Sequence, residues 1–293
     1  MNTDKLPVNM KTTKIVFIAL SCILLSVGCA QDNTKTKAEK QGWHLAMQSY
    51  TFHLFTVMES LDKTQELGIR FIEIYPGQSM GDGFGEAVFG YQLNADQQIK
   101  LREEAAVRDI KIISSGVWTA QREEWEPIFS FAKNMGMEFI SAEPAREDWD
   151  LVEELSKKYH IKVAVHNHPS KSSYWSPEVL LGSIDGRDDL LGACVDVGHY
   201  KRMGLDPVLS MKQLDGKIIA LHFKDIAPQG EEQTLEDVIW GQGILNVKAM
   251  MEELKRQNFK GYFTIEYEAD WENNLPQIKQ SIEYFNQVAE EIL

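Results

Sequence analysis

The sequence predicts a single (β/α)8 (TIM) barrel, and three observations predict it. Short apolar segments rich in Ile, Val and Phe alternate with amphipathic segments from Trp43 onward. Continuous apolar runs are typical of parallel strands that are buried on both faces. Histidines and acids follow several of these runs, as expected where the carboxyl ends of barrel strands build a site. No GxGxxG or GxxxxGK[ST] loop follows the first strand, which disfavours an open nucleotide-binding sheet.

The segment that precedes Trp43 is predicted to lie outside the barrel. Two lysines come before an apolar run, Ile15 to Val27, that is shorter than the roughly 20 residues of a membrane-spanning helix. This pattern resembles a bacterial lipoprotein signal, which implies a signal peptide at 1–28 and a lipidated Cys29. A plain secretory signal or an uncleaved anchor is the alternative. The polar segment 29–42 is predicted to be a flexible tether, and the protein to be lipid-anchored in the cell envelope, facing the periplasm.

The net charge limits the classes of partner, and the cysteine content limits the disulfides that the domain can form. The net charge is −14, which disfavours nucleic acid and anionic membrane surfaces as partners, because both attract basic proteins. We therefore expect membrane contact through the N-terminal lipid only and no nucleic acid partner, while a small neutral substrate such as a carbohydrate is compatible with this charge. Cys194 is the only cysteine of the predicted domain, 43–293, so that an intrachain disulfide is not expected there.

The strands and helices are assigned in chain order. The predicted strands are 44–51, 69–75, 110–117, 137–143, 161–168, 191–197, 217–224 and 261–267. The clearest predicted helices are 62–68, 95–109, 148–160 and 274–291. Segment 148–160 begins with acids and ends with bases, which complements a helix dipole. Two long loops, 76–93 and 225–243, follow strands and are expected to cover the mouth of the barrel.

The polar clusters at the strand ends predict one metal site. They read AVHNHP (164–169), CVDVGHY (194–200), IIALHFKD (218–225) and FTIEYE (263–268), and EFISAEP places a further glutamate after the fourth strand. A barrel converges strand ends toward its axis, so that their side chains can meet around one ion. The candidate ligands are Glu143, His166, Asp196, His222 and Glu266. A mixed nitrogen and oxygen set suits one divalent ion such as Mn, Zn, Co or Fe.

Other polar and aromatic residues are candidates for catalysis and substrate binding. The candidate catalytic residues are Glu143, His168, Glu266, His199 and Lys224. The candidate substrate contacts are His53, Glu73, Trp118, His168, Trp175, His199, Lys224 and Trp240. Tryptophan rings can stack on the C–H faces of a sugar, or they can simply cover the barrel rim. Lys224 can neutralise an oxyanion or be a solvated rim charge, and His166 can orient a ligand rather than bind the ion.

Three motifs carry a resemblance to a known family. They are D-V-G-H (196–199), H-F-K-D (222–225) and I-E-Y-E (265–268), and with them residues 43–291 resemble the xylose isomerase-like barrel superfamily, which includes sugar phosphate isomerases and epimerases. The resemblance implies that the acid, histidine and glutamate of these motifs bind a divalent cation. Many members carry Glu-Asn-His after the fifth strand, where this chain has His166-Asn167-His168. The neighbouring Glu143 could supply the missing carboxylate.

The resemblance also implies a reaction. The expected chemistry is proton abstraction beside a metal-polarised carbonyl of a keto-sugar, which leads to isomerisation or epimerisation. Elimination from a 3-keto-glycoside on the same scaffold and a non-catalytic sugar-binding lipoprotein are the alternatives. An endonuclease-like relative is opposed by the acidic charge and the export signal. A free or glycosidic sugar is favoured over a sugar phosphate, because no basic cluster is present to hold a phosphate.

Overall fold

The structure is a computed structural model that describes residues 1–2, 35–169 and 173–293. Residues 3–34, which include Cys29, nearly all of the predicted signal peptide and the first part of the predicted tether, lie outside the described residues. The prediction of a flexible tether at 29–42 is wrong for its last part, because Lys37–Gln41 form a helix whose Ala38 is buried and whose Lys37 donates a hydrogen bond to the backbone oxygen of Glu290. The described strands are β1 (Trp43–Gln48), β2 (Phe71–Ile74), β3 (Lys111–Trp118), β4 (Phe139–Ala142), β5 (Lys162–His166), β6 (Leu191–Asp196), β7 (Ile218–Phe223), β8 (Asp225–Gln229), β9 (Thr234–Val238) and β10 (Gly261–Ile265).

Eight of these strands close into a parallel barrel. Their order around the barrel is β1-β10-β7-β6-β5-β4-β3-β2, and each predicted strand corresponds to one of them. The predicted (β/α)8 barrel is therefore confirmed. The observed strands are shorter than predicted mainly at their carboxyl ends, because the polar residues there leave the ladder to form the mouth of the barrel.

Helices lie between the strands, as expected of this fold. They are α1 (Lys37–Gln41), α2 (Val57–Glu66), α3 (Ala95–Val107), α4 (Trp125–Met135), α5 (Trp149–Tyr159), α6 (Pro177–Ile184), α7 (Val197–Arg202), α8 (Pro207–Gln213), α9 (Val247–Arg256) and α10 (Leu275–Ile292). Within the described part of the chain, none of the helices has the length and apolar character that crossing a membrane requires.

Small inward-facing side chains fill the barrel directly below the polar residues of the mouth. Ala164, Cys194 and Ala220 belong to a buried inner cluster with Phe139 and Tyr262. Because strand side chains alternate, each of the three lies on the same face as the residue two positions later. Those later residues are His166, Asp196 and His222. The small residues therefore form the layer on which the polar side chains rest.

The predicted loop 225–243 contains an antiparallel hairpin, which the sequence analysis missed. Strands β8 and β9 pair from Asp225 with Val238 to Gln229 with Thr234. The fully buried Asp225 carboxylate accepts backbone hydrogen bonds at 2.9–3.0 Å from Ile226, Gly241, Gly243 and Leu245. This one side chain therefore joins both ends of the segment and holds the hairpin at the mouth.

Trp240 belongs to the core, so its prediction as a sugar contact is wrong. It is 1% exposed, and its ring lies 5.0 Å from that of Phe223 and 6.2 Å from that of Phe285 on α10. The reason is that the Asp225 turn directs the chain after β9 back toward the barrel wall.

Replacing this residue tests its core position. We expect Trp240→Ala to lower the free energy of unfolding by about 3–5 kcal/mol, the range for deleting a buried aromatic ring. Urea unfolding followed by circular dichroism measures the change. Trp175→Ala is the matched control, because Trp175 is 39% exposed, and its effect should stay within about 0.5 kcal/mol. A loss below about 1 kcal/mol for Trp240→Ala would contradict the core assignment.

Candidate active site

Four buried side chains converge inside the mouth of the barrel. They are His166 from β5, Asp196 from β6, His222 from β7 and Glu266, which directly follows β10. One ligand atom from each lies within 4.8 Å of the others. Asp196 and His222 are register partners on neighbouring strands, which places them side by side. The strand order around the barrel thus brings together residues that are far apart in sequence.

The four side chains fit a divalent cation. His166 Nε2, Asp196 Oδ2 and His222 Nδ1 are buried and have no hydrogen-bond partner, although Asp196 Oδ2 lies 3.1 Å from Lys224 Nζ. Burying polar atoms without partners is unfavourable, and a cation would satisfy all three. Two imidazoles and two carboxylates suit Zn, Mn, Co or Fe. Ligand atoms at about 2.0–2.2 Å from an ion lie up to ~4.4 Å apart, so small side-chain movements close the site.

Glu73 orients His222 from below. The carboxylate accepts a hydrogen bond from His222 Nε2 at 2.8 Å, and it also contacts Gln48 Nε2 at 2.6 Å and Ser141 Oγ at 2.8 Å. The other ring nitrogen, Nδ1, faces Glu266 Oε2, 3.3 Å away. Burial lowers the pKa of His222, but the neighbouring Cys194 and Glu266 outweigh it and hold the pKa well above its ordinary value, so that a cation at Nδ1 would displace a proton. Carboxylate–histidine pairs of this kind set the tautomer of metal ligands. Glu73 is fully buried and does not line the mouth, so its prediction as a substrate contact is wrong.

Lys224 is buried beneath the site rather than solvated at its rim. Its Nζ lies 2.7 Å from Glu266 Oε2, 2.7 Å from Glu268 Oε1 and 3.1 Å from Asp196 Oδ2. Burial lowers the pKa of Lys224, but these carboxylates outweigh it and hold the pKa well above its ordinary value. Lys224 is 0% exposed and does not line the mouth cavity, which contradicts its prediction as a substrate contact. It positions two of the four candidate ligands.

Glu143 contacts two histidines and is not part of the four-residue cluster. His168 Nδ1 donates a hydrogen bond to Glu143 Oε1, and His166 Nδ1 lies 3.5 Å from the same oxygen. Burial raises the pKa of Glu143, but the hydrogen bonds from His166 and His168 lower it to about 2, so that the carboxylate is ionised. With Nδ1 occupied, His168 directs Nε2 away from Glu143, and its side chain is 45% exposed at the mouth. His168 is thus a hydrogen-bond acceptor at the cavity.

His199 also lines the cavity but has the opposite polarity, and its Nε2 lies 3.6 Å from the buried Asp196 Oδ2. Arg202 Nη1 lies 3.2 Å from His199 Nδ1, and a guanidinium can only donate, so Nδ1 accepts and Nε2 carries the proton. Burial, reinforced by the Lys224 charge and opposed by Asp196, lowers the pKa of His199 to about 3. The imidazole is therefore neutral. His168 and His199 face each other with ring centroids 5.2 Å apart, one as acceptor and one as donor.

The β8–β9 hairpin holds Arg202 in place. Arg202 Nη2 donates to Asp237 Oδ1 at 2.7 Å, and its Nε donates to the backbone oxygen of Leu235 at 3.2 Å. Asp237 also accepts the backbone N–H of Glu268 at 3.1 Å. Burial raises the pKa of Asp237 to about 6, against the opposing charges of Lys224 and Arg202. Sequence reasoning missed Arg202 and Asp237, because they meet only through the hairpin.

A cavity of about 430 Å³ opens above the cluster. Its lining residues are Gln48, Tyr50, Tyr75, Pro76, Gly116, Val117, His168, His199, Glu266 and Glu268. Among the residues that the structure describes, the lining contains two carboxylates and neither lysine nor arginine. Of the predicted substrate contacts, His168 and His199 therefore line the cavity, whereas the sequence analysis did not single out Gln48 or Tyr50.

The remaining predicted aromatic contacts lie elsewhere. Trp118 is 7% exposed and donates its indole N–H to Ser115 Oγ at 2.8 Å, facing Tyr91 of the long loop. Its role as a sugar contact is therefore contradicted. Trp175 is exposed but does not line the cavity. His53 stacks on Tyr50 with ring centroids 5.1 Å apart, so that it supports the wall of the cavity from behind.

Fold and site together define a (β/α)8 barrel with a candidate metal centre at the carboxyl ends of its strands. The chain belongs to the xylose isomerase-like TIM barrel family, whose sequence model matches residues 61–288. It is 24% identical over 231 residues to an inosose dehydratase from Lactiplantibacillus plantarum, covering 70% of this chain and 72% of that one. The recognised family resemblance is thereby confirmed.

Solved structures agree with this assignment. A crystal structure of an uncharacterised protein from Parabacteroides distasonis is 39% identical, covers 84% of this chain and 99% of its own, and superposes with a TM-score of 0.69. The IolI protein with a bound zinc atom is 18% identical, with a TM-score of 0.67 over 85% of this chain and 99% of its own. At this identity the second similarity concerns the fold alone.

The Glu73–His222 contact predicts an effect on metal affinity. We expect Glu73→Gln to weaken Zn or Mn binding about 10- to 100-fold, because the ligand tautomer is no longer set by a carboxylate. Competition titration against a chelator measures the affinity. Glu126→Gln is the control, since Glu126 is 55% exposed in its ion pair with Lys158. Unchanged affinity in Glu73→Gln would contradict the orienting role.

The Arg202–His199 contact predicts a defined tautomer. We expect nitrogen-15 NMR of histidine-labelled protein to place the His199 proton on Nε2 in the wild type. Arg202→Met should give a mixture of tautomers, because nothing then requires Nδ1 to accept, and Arg202→Lys should restore the wild-type signal in part. A proton on Nδ1 in the wild-type protein would refute the arrangement.

Proposed function

We propose that the protein is a divalent-metal-dependent enzyme that removes a proton from the carbon next to the carbonyl of an uncharged keto-sugar, leading to isomerisation or epimerisation. One observation carries the proposal. The cavity places an acceptor, His168, and a neutral donor, His199, directly above four buried side chains that fit a cation. Proton abstraction beside a carbonyl needs these three functions within reach of one substrate.

The candidate ligands are His166, Asp196, His222 and Glu266. A divalent ion held by them would act as a Lewis acid on the carbonyl oxygen and so acidify the neighbouring C–H bond. Imidazole ligands bind metals in their neutral form, so cation binding releases protons from His166 and His222. Glu73 and Lys224 keep the ligands oriented.

His168 is the proposed base. Its Nδ1–H is directed at the ionised Glu143, so that its free Nε2 can accept a proton, and the carboxylate stabilises the imidazolium that forms. A positioned general base of this kind contributes about 10²–10⁴-fold in rate. Glu143 then acts through His168 rather than on the substrate. The sequence His166-Asn167-His168, which stands where many family members carry Glu-Asn-His, thus provides one candidate ligand and the proposed base.

His199 is the proposed hydrogen-bond donor to substrate. Its Nε2–H can stabilise the oxygen on which negative charge develops, as preorganised donors do in other enzymes. Because its neutral state is maintained by burial and by Lys224, it donates without adding a positive charge to the cavity. Arg202 sets its orientation.

The cavity favours an uncharged substrate. Glu266 and Glu268 line it, and among the described residues of its lining there is neither lysine nor arginine to hold a phosphate. A sugar phosphate would therefore meet net repulsion. Tyr50 and Tyr75 supply aromatic surface for the C–H faces of a sugar.

Elimination is a second candidate, favoured by the similarity to an inosose dehydratase. The same proton would go to His168, the electron pair of the C–H bond would form a carbon–carbon double bond, and the C–O bond at the next carbon would break. The departing oxygen would take the proton back from the His168 imidazolium and leave as water or an alcohol, with a hydrogen bond from His199. The first step is shared with isomerisation, and only the substituent beside the abstracted proton decides which product forms.

Solvent exchange tests the shared step. Metal-loaded protein incubated with keto-sugars in deuterated water should place deuterium at the carbon beside the carbonyl, as measured by NMR. His168→Gln should slow the exchange by about 100-fold or more, because the base is lost, whereas Trp175→Ala should not. Ultraviolet absorbance of a conjugated ketone would identify elimination.

A metal-loaded protein that binds keto-sugars without any exchange would contradict the enzymatic proposal. That outcome would leave the non-catalytic sugar-binding alternative.

A further inference from the structure

Three aromatic side chains form a continuous surface at one side of the mouth. Tyr50 and His53 stack with ring centroids 5.1 Å apart and an interplanar angle of 22°. The Trp271 ring makes edge contacts with both, with ring centroids 4.2 Å from that of His53 and 6.1 Å from that of Tyr50. We call these three residues the aromatic platform. Tyr50 is 41% exposed, so that part of its side chain is accessible to a ligand.

Local structure holds the platform rigidly. Tyr50 lies in a 3-10 turn, Ser49–Phe52, that directly follows β1. His53 Nδ1 donates to the backbone oxygen of Tyr50 at 3.2 Å, which fixes its ring over the turn. On the other side, Asn274 donates to the backbone oxygen of Thr51 at 2.8 Å, which attaches the segment containing Trp271 to the same turn. The rings are therefore preorganised.

The platform separates two hollows. Tyr50 lines the mouth cavity of about 430 Å³ described above. Trp271 lines an open cleft of about 470 Å³ together with Leu54, Asp270, Glu272, Asn273 and Gln277. Because the two rings are in edge contact, a ligand that leaves the cavity over Tyr50 reaches the cleft over Trp271. The mouth cavity is at the lower end of the roughly 300–1,000 Å³ of small-ligand sites, so it suits a single sugar ring.

We propose that the cleft at Trp271 binds a second sugar ring, joined glycosidically to the ring that lies over the metal centre. This rests on the proposed function, and it assigns the substrate class as a keto-glycoside rather than a free keto-sugar. An indole face packs against the C–H groups of a pyranose, while the amides of Asn273 and Gln277 and the carboxylates of Asp270 and Glu272 can hydrogen-bond its hydroxyls.

The composition of the cleft favours a sugar over other occupants. In the part of the chain that the structure describes, two acids line it and neither lysine nor arginine does, so an anionic ligand would be repelled. Leu54 and Trp271 are the only large apolar groups among these described lining residues, which is less than a hydrophobic partner surface needs. A neutral polyhydroxylated ring matches one aromatic face surrounded by hydrogen-bonding groups.

The test compares a disaccharide with a monosaccharide. The probes are 3-keto-cellobiose, 3-keto-glucose and phenyl 3-keto-β-glucoside, and the readout is kcat/KM for solvent-deuterium exchange or product formation. The wild type should prefer the disaccharide over the monosaccharide by about tenfold, the size of one good ring contact. Trp271→Ala should reduce that preference roughly three- to tenfold, and Trp271→Phe should retain part of it. Trp175→Ala, which removes an exposed tryptophan that lines neither hollow, should leave the preference unchanged.

An unchanged preference in Trp271→Ala, with native unfolding temperature and metal content, would overturn the subsite. An equal gain from the phenyl glucoside would also overturn it, because any flat group would then suffice. Failure of the proposed function is recognised separately, as no reaction with any probe. In that case titration calorimetry still tests the subsite. It compares the affinity for cellobiose with the affinity for glucose in the wild type and in the same Trp271 and Trp175 variants.

Discussion

The charge balance around the buried Lys224 is the constraint on which the rest of the site depends. A fully buried ammonium group is tolerated only when carboxylates pair with it, and Asp196, Glu266 and Glu268 do so. The site holds further carboxylates, Glu73 and Glu143, that pair with histidines instead. Negative charge therefore exceeds the fixed positive charge of Lys224. A divalent cation among the four converging ligands would offset part of this excess.

The barrel makes this concentration of charge possible. A parallel barrel directs the carboxyl ends of its strands to one mouth, so that residues from β5, β6, β7 and β10 meet without any being adjacent in sequence. The layer of small side chains below, which includes Ala164 and Ala220, leaves room for imidazoles and carboxylates above it. A dry interior also strengthens every contact among them, because the local dielectric is low. The packing of the barrel interior therefore also determines how strongly the charged groups of the site interact.

The β8–β9 hairpin orients side chains of the site that the barrel strands alone do not hold in place. Through Arg202 it fixes which nitrogen of His199 bears the proton, and through Asp237 it holds the backbone at Glu268. The whole hairpin in turn depends on the hydrogen bonds that the buried Asp225 accepts. The polarity of the cavity, with His168 as acceptor and His199 as donor, therefore depends on an element outside the barrel.

The sequence by itself determined the barrel and four of the five predicted ligands that it brings together, whereas the fifth, Glu143, contacts His166 and His168 instead. Apolar runs of strand length and polar residues two positions apart are local patterns that the sequence shows directly. In a parallel barrel the carboxyl ends of all strands lie at one mouth, so the polar residues at these ends must lie close together there. Which partner each polar group meets depends on distant segments, and only the tertiary structure decided it. Glu73 beneath His222, Lys224 buried rather than solvated, and Trp240 in the core are all consequences of contacts between residues far apart in the chain. Burial and hydrogen-bond partners are properties of packing, and a local pattern does not specify them.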